Sequence, residues 1–330
     1  MEPFVKYPGG KSKETSIVNK YMPKDSLRYF EPFVGGGAIY FNLNFNNSYI
    51  NDKSKDLIDL YKKIKTSNKA LKNYLILIDN LWKLIEVSQD EAEFNKLGLD
   101  YNMYKKYYGQ ALNKKSKKLS SFENKGINIS KQDKIKTEMT ARKTSFYMLM
   151  RDIYNNSKSG TTERVASFYF LREYCYSSMF RFSKSGKFNV PYGGRSYDFK
   201  YLTNKLNYIY SKEMKNKLSN TIIQNLDFER FLNIYDLQES DFIFLDPPYD
   251  TNFSTYDNNS FDKDQQIRLR DCLKNIKAKW MLIIKKTDFI FNLYKDFNIY
   301  EYDMKYMVSF KNRNDKSVEH LLITNYEIKE

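Results

Sequence analysis

A short apolar run that ends at two consecutive prolines constrains the fold of this chain more than any other segment. Phe242–Leu245 is continuously apolar, which is typical of a strand buried on both faces of a parallel sheet. Asp246 follows it, and then Pro247 and Pro248, which together can continue neither a strand nor a helix. The chain must therefore leave the sheet at the carboxyl end of this strand, where ligands bind in open α/β folds.

Strand and helix patterns alternate in two separate parts of the chain. Residues 27–37 predict a strand that runs into a glycine turn, and residues 48–52 predict a second strand that is followed by a helix. Asp262 and Gln265 lie at capping-box spacing before a helix predicted from about Lys263. Further strands are predicted at residues 221–224, 242–245, 280–284, 299–307 and 321–325. This alternation predicts an open α/β sheet.

A long helical region rich in Lys, Tyr and Asn separates the two α/β parts. Long helical stretches are predicted for residues 66–162. Residues 179–192 predict a β-hairpin whose turn lies at residues 183–186. We therefore expect two domains, an α/β domain built from residues 1–65 and 200–330 and an inserted helical and hairpin domain built from residues 66–199.

The positive charge of the chain is concentrated in this insertion. The whole chain has 55 Lys and Arg against 40 Asp and Glu, a formal net charge of +15. Residues 101–200 alone contain 21 basic and 7 acidic side chains, so the remainder is nearly neutral. A cationic module usually binds a polyanion such as nucleic acid or an acidic membrane. A membrane-surface helix would need Trp, Phe and Leu on its apolar face, which the Tyr- and Asn-rich insertion does not provide.

Several other classes of protein are excluded. The N-terminus shows no signal-peptide pattern, and the apolar runs are far shorter than the ~20 residues that cross a bilayer. Cys175, Cys272 and His320 are too few for a structural zinc site, and the two cysteines exclude a disulfide scaffold. We predict a structural role for His320, no metal ion, and a location in a reducing cytosol.

The turn after the apolar strand offers a binding site for a planar amine. It presents the Asp246 carboxylate, the Pro247 carbonyl and the aromatic ring of Tyr249. Two acceptors could hold the N–H bonds of an amino group while the tyrosine stacks on its ring. The alternative is a Pro-Pro turn that only ends a strand.

Two further segments are consistent with a cofactor site. Three glycines close the stretch Glu31–Gly37 and allow a ligand to approach the backbone closely. The spacing fits neither a dinucleotide fingerprint nor a phosphate-binding loop. Asp52 ends the next strand, where α/β cofactor folds hold ribose hydroxyls. Alone, the glycines could form a purely structural turn, Asp52 a surface cap, and Lys6–Lys11 an ordinary turn with solvated lysines.

Taken together, these segments resemble the Dam-type family of DNA adenine-N6 methyltransferases, the α group of enzymes dependent on S-adenosylmethionine (AdoMet). The resemblance covers the order of motifs along the whole chain, although residues 70–160 match no segment of the family. It implies a Rossmann-like AdoMet-dependent methyltransferase sheet, interrupted by a mainly helical target-recognition insertion with a β-hairpin. The motifs that carry it are Lys6–Lys11, Glu31–Gly37, Asn51-Asp52, Lys187–Gly193, Asp246–Tyr249 and Asn259–Gln266.

The resemblance also implies a cofactor site. Asp52 would bind the ribose of AdoMet, and Asp227 and Phe228 would contact its adenine. Leu226 stands where the family often has a glycine. The residues implied are Tyr7, Lys11, Glu31, Pro32, Phe33, Gly35, Gly36, Gly37, Asp52, Asp227, Phe228 and Asp246.

By the same resemblance, the turn Asp246, Pro247, Pro248 and Tyr249 would hold the flipped target adenine. Tyr176 would wedge into the duplex, and Arg181 would read a base edge or clamp a phosphate. Ser177-Ser178 replaces the family's usual Asn-Gly, so the GATC specificity of compact members does not transfer. The residues implied in DNA binding are Lys6, Tyr176, Ser177, Met179, Arg181, Lys187, Asn189, Pro191 and Tyr192.

The expected function is site-specific transfer of a methyl group from AdoMet to a flipped adenine in double-stranded DNA, which releases S-adenosylhomocysteine. The resemblance places the protein in the cytosol of a bacterium or a phage host, as a monomer. It would belong to a restriction–modification system with a separate endonuclease, or act as an orphan or phage enzyme. Two alternatives remain: a cytosine-N4 methyltransferase, which could use the same turn, and a non-catalytic DNA-binding subunit with this fold.

Overall fold

The computed structural model describes residues 1–7, 9–11, 13–248, 261–305 and 317–328. The chain forms two compact units. The first, called the sheet unit, comprises Met1–Pro3, Gly9–Ile58 and Lys217–Glu330. The second, called the helical unit, comprises Phe4–Pro8 and Asp59–Asn216.

Within the described ranges, the sheet unit contains seven strands in the order β3-β2-β1-β4-β5-β7-β6. Strands β1 to β5 pair in parallel, whereas β7 runs antiparallel to both β5 and β6. The strands are β1 Arg28–Glu31, β2 Asn47–Asn51, β3 Thr221–Gln224, β4 Asp241–Leu245, β5 Lys279–Lys285, β6 Asn298–Lys305 and β7 Ser317–Thr324. The Rossmann-like α/β fold is confirmed, with an antiparallel pair at one edge.

The strand order reverses beside β1. From β1 the chain winds through β2 towards the β3 edge, whereas from β4 it winds through β5 in the opposite direction. The register pairs Tyr29 of β1 with Phe242 of β4, so both strands end at the same edge of the sheet. A crevice outside the carboxyl ends of such strands is the usual ligand site of doubly wound folds.

Five helices belong entirely to the sheet unit as described. They are α1 Thr15–Tyr21, α2 Ala38–Asn42, α11 Phe228–Asn233, α12 Lys263–Lys274 and α13 Asp288–Leu293, numbered in chain order through both units. The Asp262 carboxylate accepts from the backbone N–H of Gln265 at 3.1 Å, so the predicted cap of α12 is confirmed. Leu269 and Leu273 of α12 are buried in the same apolar cluster as Trp280 of β5, each contributing roughly 1.5–3 kcal/mol.

The helical unit is built around aromatic side chains. Its helices are α3 Lys55–Lys65, α4 Lys69–Leu84, α5 Glu91–Lys96, α6 Tyr101–Glu123, α7 Lys131–Asn156, α8 Thr162–Tyr174, α9 Thr203–Ile209 and α10 Lys212–Ser219, of which α3 and α10 cross the unit boundary. Asn68, Asp100, Ser130 and Thr161 cap four of them through side-chain oxygens. Trp82 packs against Phe146, Phe170, Tyr174 and Tyr192, so four parts of the insertion share one core.

The helical unit extends beyond the insertion predicted from the sequence. The indole N–H of Trp82 donates to the carbonyl of Lys200 at 2.8 Å, and the Tyr174 hydroxyl donates to the same carbonyl at 2.8 Å. Asp79 of α4 accepts from the backbone N–H of Leu202. These bonds tie the segment after residue 199 to α4 and α8, which explains why the unit continues to Asn216.

A buried lysine lies in the core of the helical unit. The Lys143 amine donates to Glu86 at 2.8 Å and to the carbonyl of Trp82, and it lies 4.2 Å from the centre of the Trp82 ring. Burial lowers the pKa of Lys143, while the hydrogen bond and charge of Glu86 oppose that shift. The insertion's positive charge is therefore not all on its surface.

His320 is buried on β7, with its ring 5.8 Å from that of Tyr302. Both cysteines are free; Cys175 is buried, and Cys272 is partly exposed. Among the described residues, no helix is long and apolar enough to cross a membrane.

Candidate active site

The turn after β4 is fixed by an ion pair with the N-terminal segment of the sheet unit. Asp246 directly follows β4, and its carboxylate lies 2.9 Å from the amine of Lys11. Only 3% of the Lys11 side chain is exposed. Burial raises the pKa of Asp246, and Lys11 opposes this shift through its charge and its hydrogen bond. The sequence predicted a site at both residues, and the structure brings them into direct contact.

A buried glutamine also supports this turn. Gln266 of α12 is fully buried, and its amide donates to the carbonyl of Pro248 at 3.1 Å. The predicted cofactor and catalytic residues did not include Gln266. The sequence does contain a signal for Gln266, because this polar residue lies on the same helix face as the apolar residues Leu269 and Leu273. Tyr249, predicted to stack on the target base, lies outside the described residues.

The glycine turn after β1 is built on left-handed backbone at two positions. Gly35 and Gly37 have φ values of 49° and 79°, which favour residues without a side chain. Gly36 lies buried between them. Pro32 and Phe33 precede the turn, and its Gly35 N–H donates to the Asp52 carboxylate at 2.9 Å. The predicted glycine turn and the predicted ribose-binding residue are therefore in contact.

Asp52 is held in place by two backbone groups. One carboxylate oxygen accepts from the N–H of Gly35, and the other accepts from the N–H of Ser54 at 2.8 Å. Each carboxylate oxygen can accept a second hydrogen bond. The side chain is therefore oriented at the carboxyl end of β2.

Asn51 connects three parts of the site. Its amide donates to the carbonyls of Pro32 and Leu226, both at 3.0 Å, and its oxygen accepts from the N–H of Leu226 at 2.8 Å. The side chain is buried. Asn51 thus ties the glycine turn to the loop that precedes Asp227, a role that its place in the Asn51-Asp52 motif does not reveal.

Two buried carboxyl groups, those of Glu31 and Glu14, interact electrostatically with the partly exposed carboxylate of Asp246. Glu31 is buried and accepts from the Tyr29 hydroxyl at 2.7 Å; burial raises its pKa well above the usual range, and the charge of Asp246 adds to this. Burial likewise raises the pKa of Glu14, with opposite contributions from Lys11 and Asp246. Glu14 was not predicted from the sequence. The charges of Lys11 and Lys13 act on Glu14, and that of Lys217 acts on Glu31, so amines accompany these carboxyl groups.

The segment after β3 forms one side of the crevice. Asp227 caps α11 through the N–H of Glu229 at 3.1 Å and forms an ion pair with Arg268. The Phe228 ring is buried, lies 5.6 Å from the Phe33 ring and is covered by the Arg268 guanidinium at 4.4 Å. Phe33 is partly exposed, so among these aromatic side chains it retains more surface for a planar ligand.

Comparison with known proteins identifies the family. The family model of D12 class N6 adenine-specific DNA methyltransferases matches residues 7–308. The chain belongs to this family. It is 29% identical over 331 residues to the type II methyltransferase M.CviBI of Paramecium bursaria Chlorella virus NC1A, covering 99% of this chain and 100% of the relative.

Two further relatives come from other groups of organisms. The type II methyltransferase M.MjaIII of Methanocaldococcus jannaschii is 29% identical over 347 residues, which cover 99% of both chains. The DNA adenine methylase of Haemophilus influenzae is 24% identical over 290 residues, covering 86% of this chain and 77% of the relative. The D12 class resemblance therefore extends over the insertion as well as the sheet.

The segment expected to contact DNA in this family forms a loop between Cys175 and Tyr192, called the recognition loop. Two isolated antiparallel bridges, Cys175 with Tyr192 and Phe182 with Phe188, close it in place of continuous strands. The Gly186 N–H donates to the Ser183 carbonyl at 2.9 Å, as expected for the predicted turn. Aromatic packing of Phe188 against Phe180 at 4.7 Å stabilises the loop where ladder hydrogen bonds are few.

Five residues predicted to bind DNA are exposed on the recognition loop. Tyr176 is 47% exposed, and the Arg181 guanidinium donates to the Asn189 side chain at 3.0 Å. The exposed members are Tyr176, Ser177, Arg181, Lys187 and Pro191, whereas Met179 and Asn189 are partly buried.

Tyr192 does not fit its predicted role as a DNA contact. It is only 8% exposed, and its hydroxyl donates to the buried carboxylate of Asp198 at 2.8 Å. Its ring packs against Trp82 and Tyr147. We therefore assign Tyr192 to the core, where it anchors the end of the recognition loop.

The N-terminal motif is divided between the two units. Lys6 and Tyr7 belong to the helical unit, and Lys11 belongs to the sheet unit. The Lys6 amine pairs with Glu173 at 3.3 Å, and the Arg172 guanidinium lies 5.3 Å from the Tyr7 ring. Within the helical unit, the first half of the motif is thus anchored on α8.

Proposed function

We propose that this chain transfers the methyl group of AdoMet to the N6 atom of an adenine flipped out of double-stranded DNA. The site is the crevice at the carboxyl ends of β1, β2 and β4. The observation that carries the proposal is the ion pair of Asp246 with the buried Lys11, because it fixes a carboxylate acceptor at the carboxyl end of β4, where the charge of Asp246 acts on Glu31.

The residues of the crevice fit the chemistry of AdoMet. When bound, AdoMet supplies an electrophilic methyl group on a positively charged sulfur. The ionised forms of Glu31, Glu14 and Asp246 would complement the positive charges of this ligand. The oxygens of Asp52, held by Gly35 and Ser54, would accept from the ribose hydroxyls. The Phe33 ring would pack against the ligand.

The turn after β4 would position the target base. The Asp246 carboxylate and the Pro247 carbonyl would accept the two N6 hydrogens and orient the nitrogen lone pair towards the methyl group. Such positioning can contribute roughly 7–11 kcal/mol to catalysis. Stacking on Tyr249 remains part of the proposal and would offset part of the unstacking cost of a few kcal/mol. Lys11 opposes protonation of Asp246, which keeps the carboxylate available as an acceptor.

The recognition loop would bind the duplex around the flipped base. The exposed ring of Tyr176 would fill the space the base leaves, and Arg181, oriented by Asn189, would contact a base edge or a phosphate. Lys187 would add a phosphate contact. The family match supports adenine over cytosine as the target. The names of the type II relatives support a role in restriction–modification, with a separate endonuclease as partner.

Replacement of Asp246 by asparagine tests the mechanism. The variant keeps the shape of the side chain but loses the charge, so we expect methyl transfer to fall by roughly 10²–10³-fold or more while duplex binding persists. The measurement is incorporation of labelled methyl groups into DNA. Asp236→Asn, the same change at an exposed position in the same unit, should keep normal turnover. Normal turnover in Asp246→Asn would refute the proposal.

The target base and its site can be read directly. We expect DNA from cells that express the protein to contain N6-methyladenine at one short sequence, detected by modified-base sequencing. N4-methylcytosine instead of N6-methyladenine would contradict the assignment.

A further inference from the structure

The helical hairpin formed by α6 and α7 ends in a strongly basic tip, defined as residues 113–136. The tip includes the C-terminal half of α6, the connecting loop and the first turns of α7. Its sequence contains eight lysines and two carboxylates. The lysines are Lys114, Lys115, Lys117, Lys118, Lys125, Lys131, Lys134 and Lys136. This segment is therefore the most concentrated positive charge of the insertion.

The carboxylates of the basic tip do not neutralise it. Glu123 pairs with Lys134 at 3.1 Å, and Asp133 accepts from the Ser130 hydroxyl at 2.7 Å and lies 3.8 Å from Arg195. All the lysines of the tip are exposed except Lys115, which is partly buried. An excess of exposed positive charge attracts a polyanion at long range.

The exposed side of α6 in the basic tip is shaped for a phosphate backbone. A shallow depression between Asn113 and Lys125 is lined entirely by Asn, Ser and Lys side chains. These residue types donate hydrogen bonds to phosphate oxygens. The short serine side chains would also let a sugar–phosphate strand approach the helix closely. An acidic protein surface would benefit less from the short serine side chains. Its carboxylates extend from the backbone on side chains of their own, so it does not need to approach the helix as closely.

Helix α7 connects the basic tip to the recognition loop. Near its C-terminal end, the Asn155 amide donates to the Phe188 carbonyl at 3.1 Å, and the Tyr147 hydroxyl donates to the Val190 carbonyl at 2.9 Å. Lys131 and Lys134 precede Asn155 by about 20–25 residues, or about 30–36 Å at ~1.5 Å per residue. At ~3.4 Å per base pair, this distance corresponds to about nine or ten base pairs of duplex.

We propose that the basic tip binds the phosphate backbone of duplex DNA about one helical turn away from the segment that the recognition loop contacts. This inference rests on the proposed function, because it requires duplex DNA as the substrate. It predicts that the protein covers more DNA than its recognition sequence. Ile127 and Ile135 are 50% and 57% exposed at the same tip, so an acidic protein partner is the competing occupant.

The test compares two duplex lengths. One duplex of about 12 base pairs carries the methylated sequence at its centre, and another of about 30 base pairs carries the same sequence with flanks. The variant is Lys114→Gln/Lys117→Gln. Its control is Lys274→Gln/Lys277→Gln, which removes two exposed lysines at the same spacing from the sheet unit. Binding is measured by fluorescence anisotropy over a range of salt concentrations.

On the 30-base-pair duplex, we expect the tip variant to bind about 5–20-fold more weakly than the unchanged protein. The slope of log affinity against log salt should fall by about 1.8, which corresponds to two lost phosphate contacts. On the 12-base-pair duplex, the two proteins should bind equally. An equal loss on both duplexes, or the same loss in the control, would overturn the proposal. No loss on the longer duplex would also overturn it and would favour an acidic protein partner.

The proposed function is tested separately in the same experiment. Methylation of the 12-base-pair duplex by the unchanged protein does not depend on the basic tip. Absence of methylation on both duplexes would reject the proposed function. Normal methylation with length-independent binding would reject only the inference about the tip.

Discussion

At the scale of single residues, the site depends on buried polar side chains that hold backbone turns. Asn51 fixes two loops, Gln266 fixes the turn after β4, and Lys11 fixes the carboxylate of Asp246. Each is buried, and a buried polar group contributes to stability only when its hydrogen bonds are made. The geometry of the exposed site is therefore set by residues that need not touch a substrate.

Gln266→Glu tests whether Gln266 is a positioning residue. The variant has nearly the same shape, but its ionised carboxylate cannot donate to the Pro248 carbonyl, so the turn should shift. We expect kcat to fall by about 10–100-fold, because small misplacements of reacting groups are costly. The dissociation constant for AdoMet should stay within about twofold, since the bond to Pro248 supports the target-base turn.

Gln265→Glu is the matched control, since Gln265 is the neighbouring, partly exposed residue. It should keep normal kcat. Gln266→Met removes the donor without adding a buried charge and should reproduce the kcat defect if Gln266→Glu fails to fold. An unchanged kcat in both Gln266 variants would remove the positioning role.

The carboxyl cluster predicts how cofactor affinity depends on pH. Glu31, Glu14 and Asp246 all have raised pKa values in the free protein, from burial first, while Lys11 opposes protonation of Glu14 and Asp246 and the amine of Lys217 opposes protonation of Glu31. A cationic ligand favours their ionised forms. Affinity for AdoMet should therefore rise as pH rises through these pKa values, and binding below them should release protons.

Calorimetry in two buffers of different ionisation enthalpy, between pH 5 and pH 8, measures this proton release. Glu31→Gln should bind AdoMet more weakly and with a flatter pH profile. The Tyr29 hydroxyl donates to Glu31 and can still donate to the glutamine oxygen. Affinity that is constant over the whole range in the unchanged protein would contradict the predicted linkage.

At the scale of elements, the turn at the start of the recognition loop is strained. The 3₁₀ turn Tyr176–Ser178 contains Ser177 and Ser178 with φ values of 51° and 52°. This left-handed conformation costs residues with a side chain roughly 1–2 kcal/mol each. The surrounding structure maintains it: the Tyr176 N–H donates to Pro191 at 2.9 Å, and the Cys175 thiol donates to the Met179 carbonyl at 3.1 Å. These hydrogen bonds hold the turn in a conformation that leaves Tyr176 exposed at the surface.

Ser178→Gly should relieve this strain. We expect the free energy of unfolding to rise by up to about 1 kcal/mol, because relief of the left-handed φ exceeds the entropy that glycine adds to the unfolded chain. DNA affinity should fall several-fold, since Tyr176 would be less firmly oriented. Ser185→Gly, in the same loop and without a positive φ, should instead lower stability slightly. Denaturant unfolding and anisotropy give the two readouts, and a less stable Ser178→Gly would show that the turn is not strained.

At the scale of the whole molecule, the sequence predicted the fold from its strand-ending signals. The prolines after β4 and the glycines after β1 ended strands where the structure ends them. The division at residues 65 and 200 missed the extent of the helical unit, because side chains such as Trp82 reach across it. Glu14, Asn51 and Gln266 were missed as site residues because their roles depend on tertiary contacts. Tyr192 was predicted to contact DNA because it belongs to the hairpin motif, and the motif does not reveal that its side chain is buried.

The pairing of β1 with β4 has a consequence for how this chain is made. Arg28 and Asp241 are bonded partners 213 residues apart, so the centre of the sheet cannot close until nearly three-quarters of the chain has left the ribosome. Joining such distant segments is slow when the intervening loop is unfolded. Here most of the intervening residues form a compact unit of their own. The strands that precede and follow this unit along the chain, β2 and β3, pair with each other, for example Ser48 with Thr221. If the helical unit folds first, the loop that must close between β1 and β4 is no longer an unfolded chain. A nascent chain that ends before β4 would lack the methylating site.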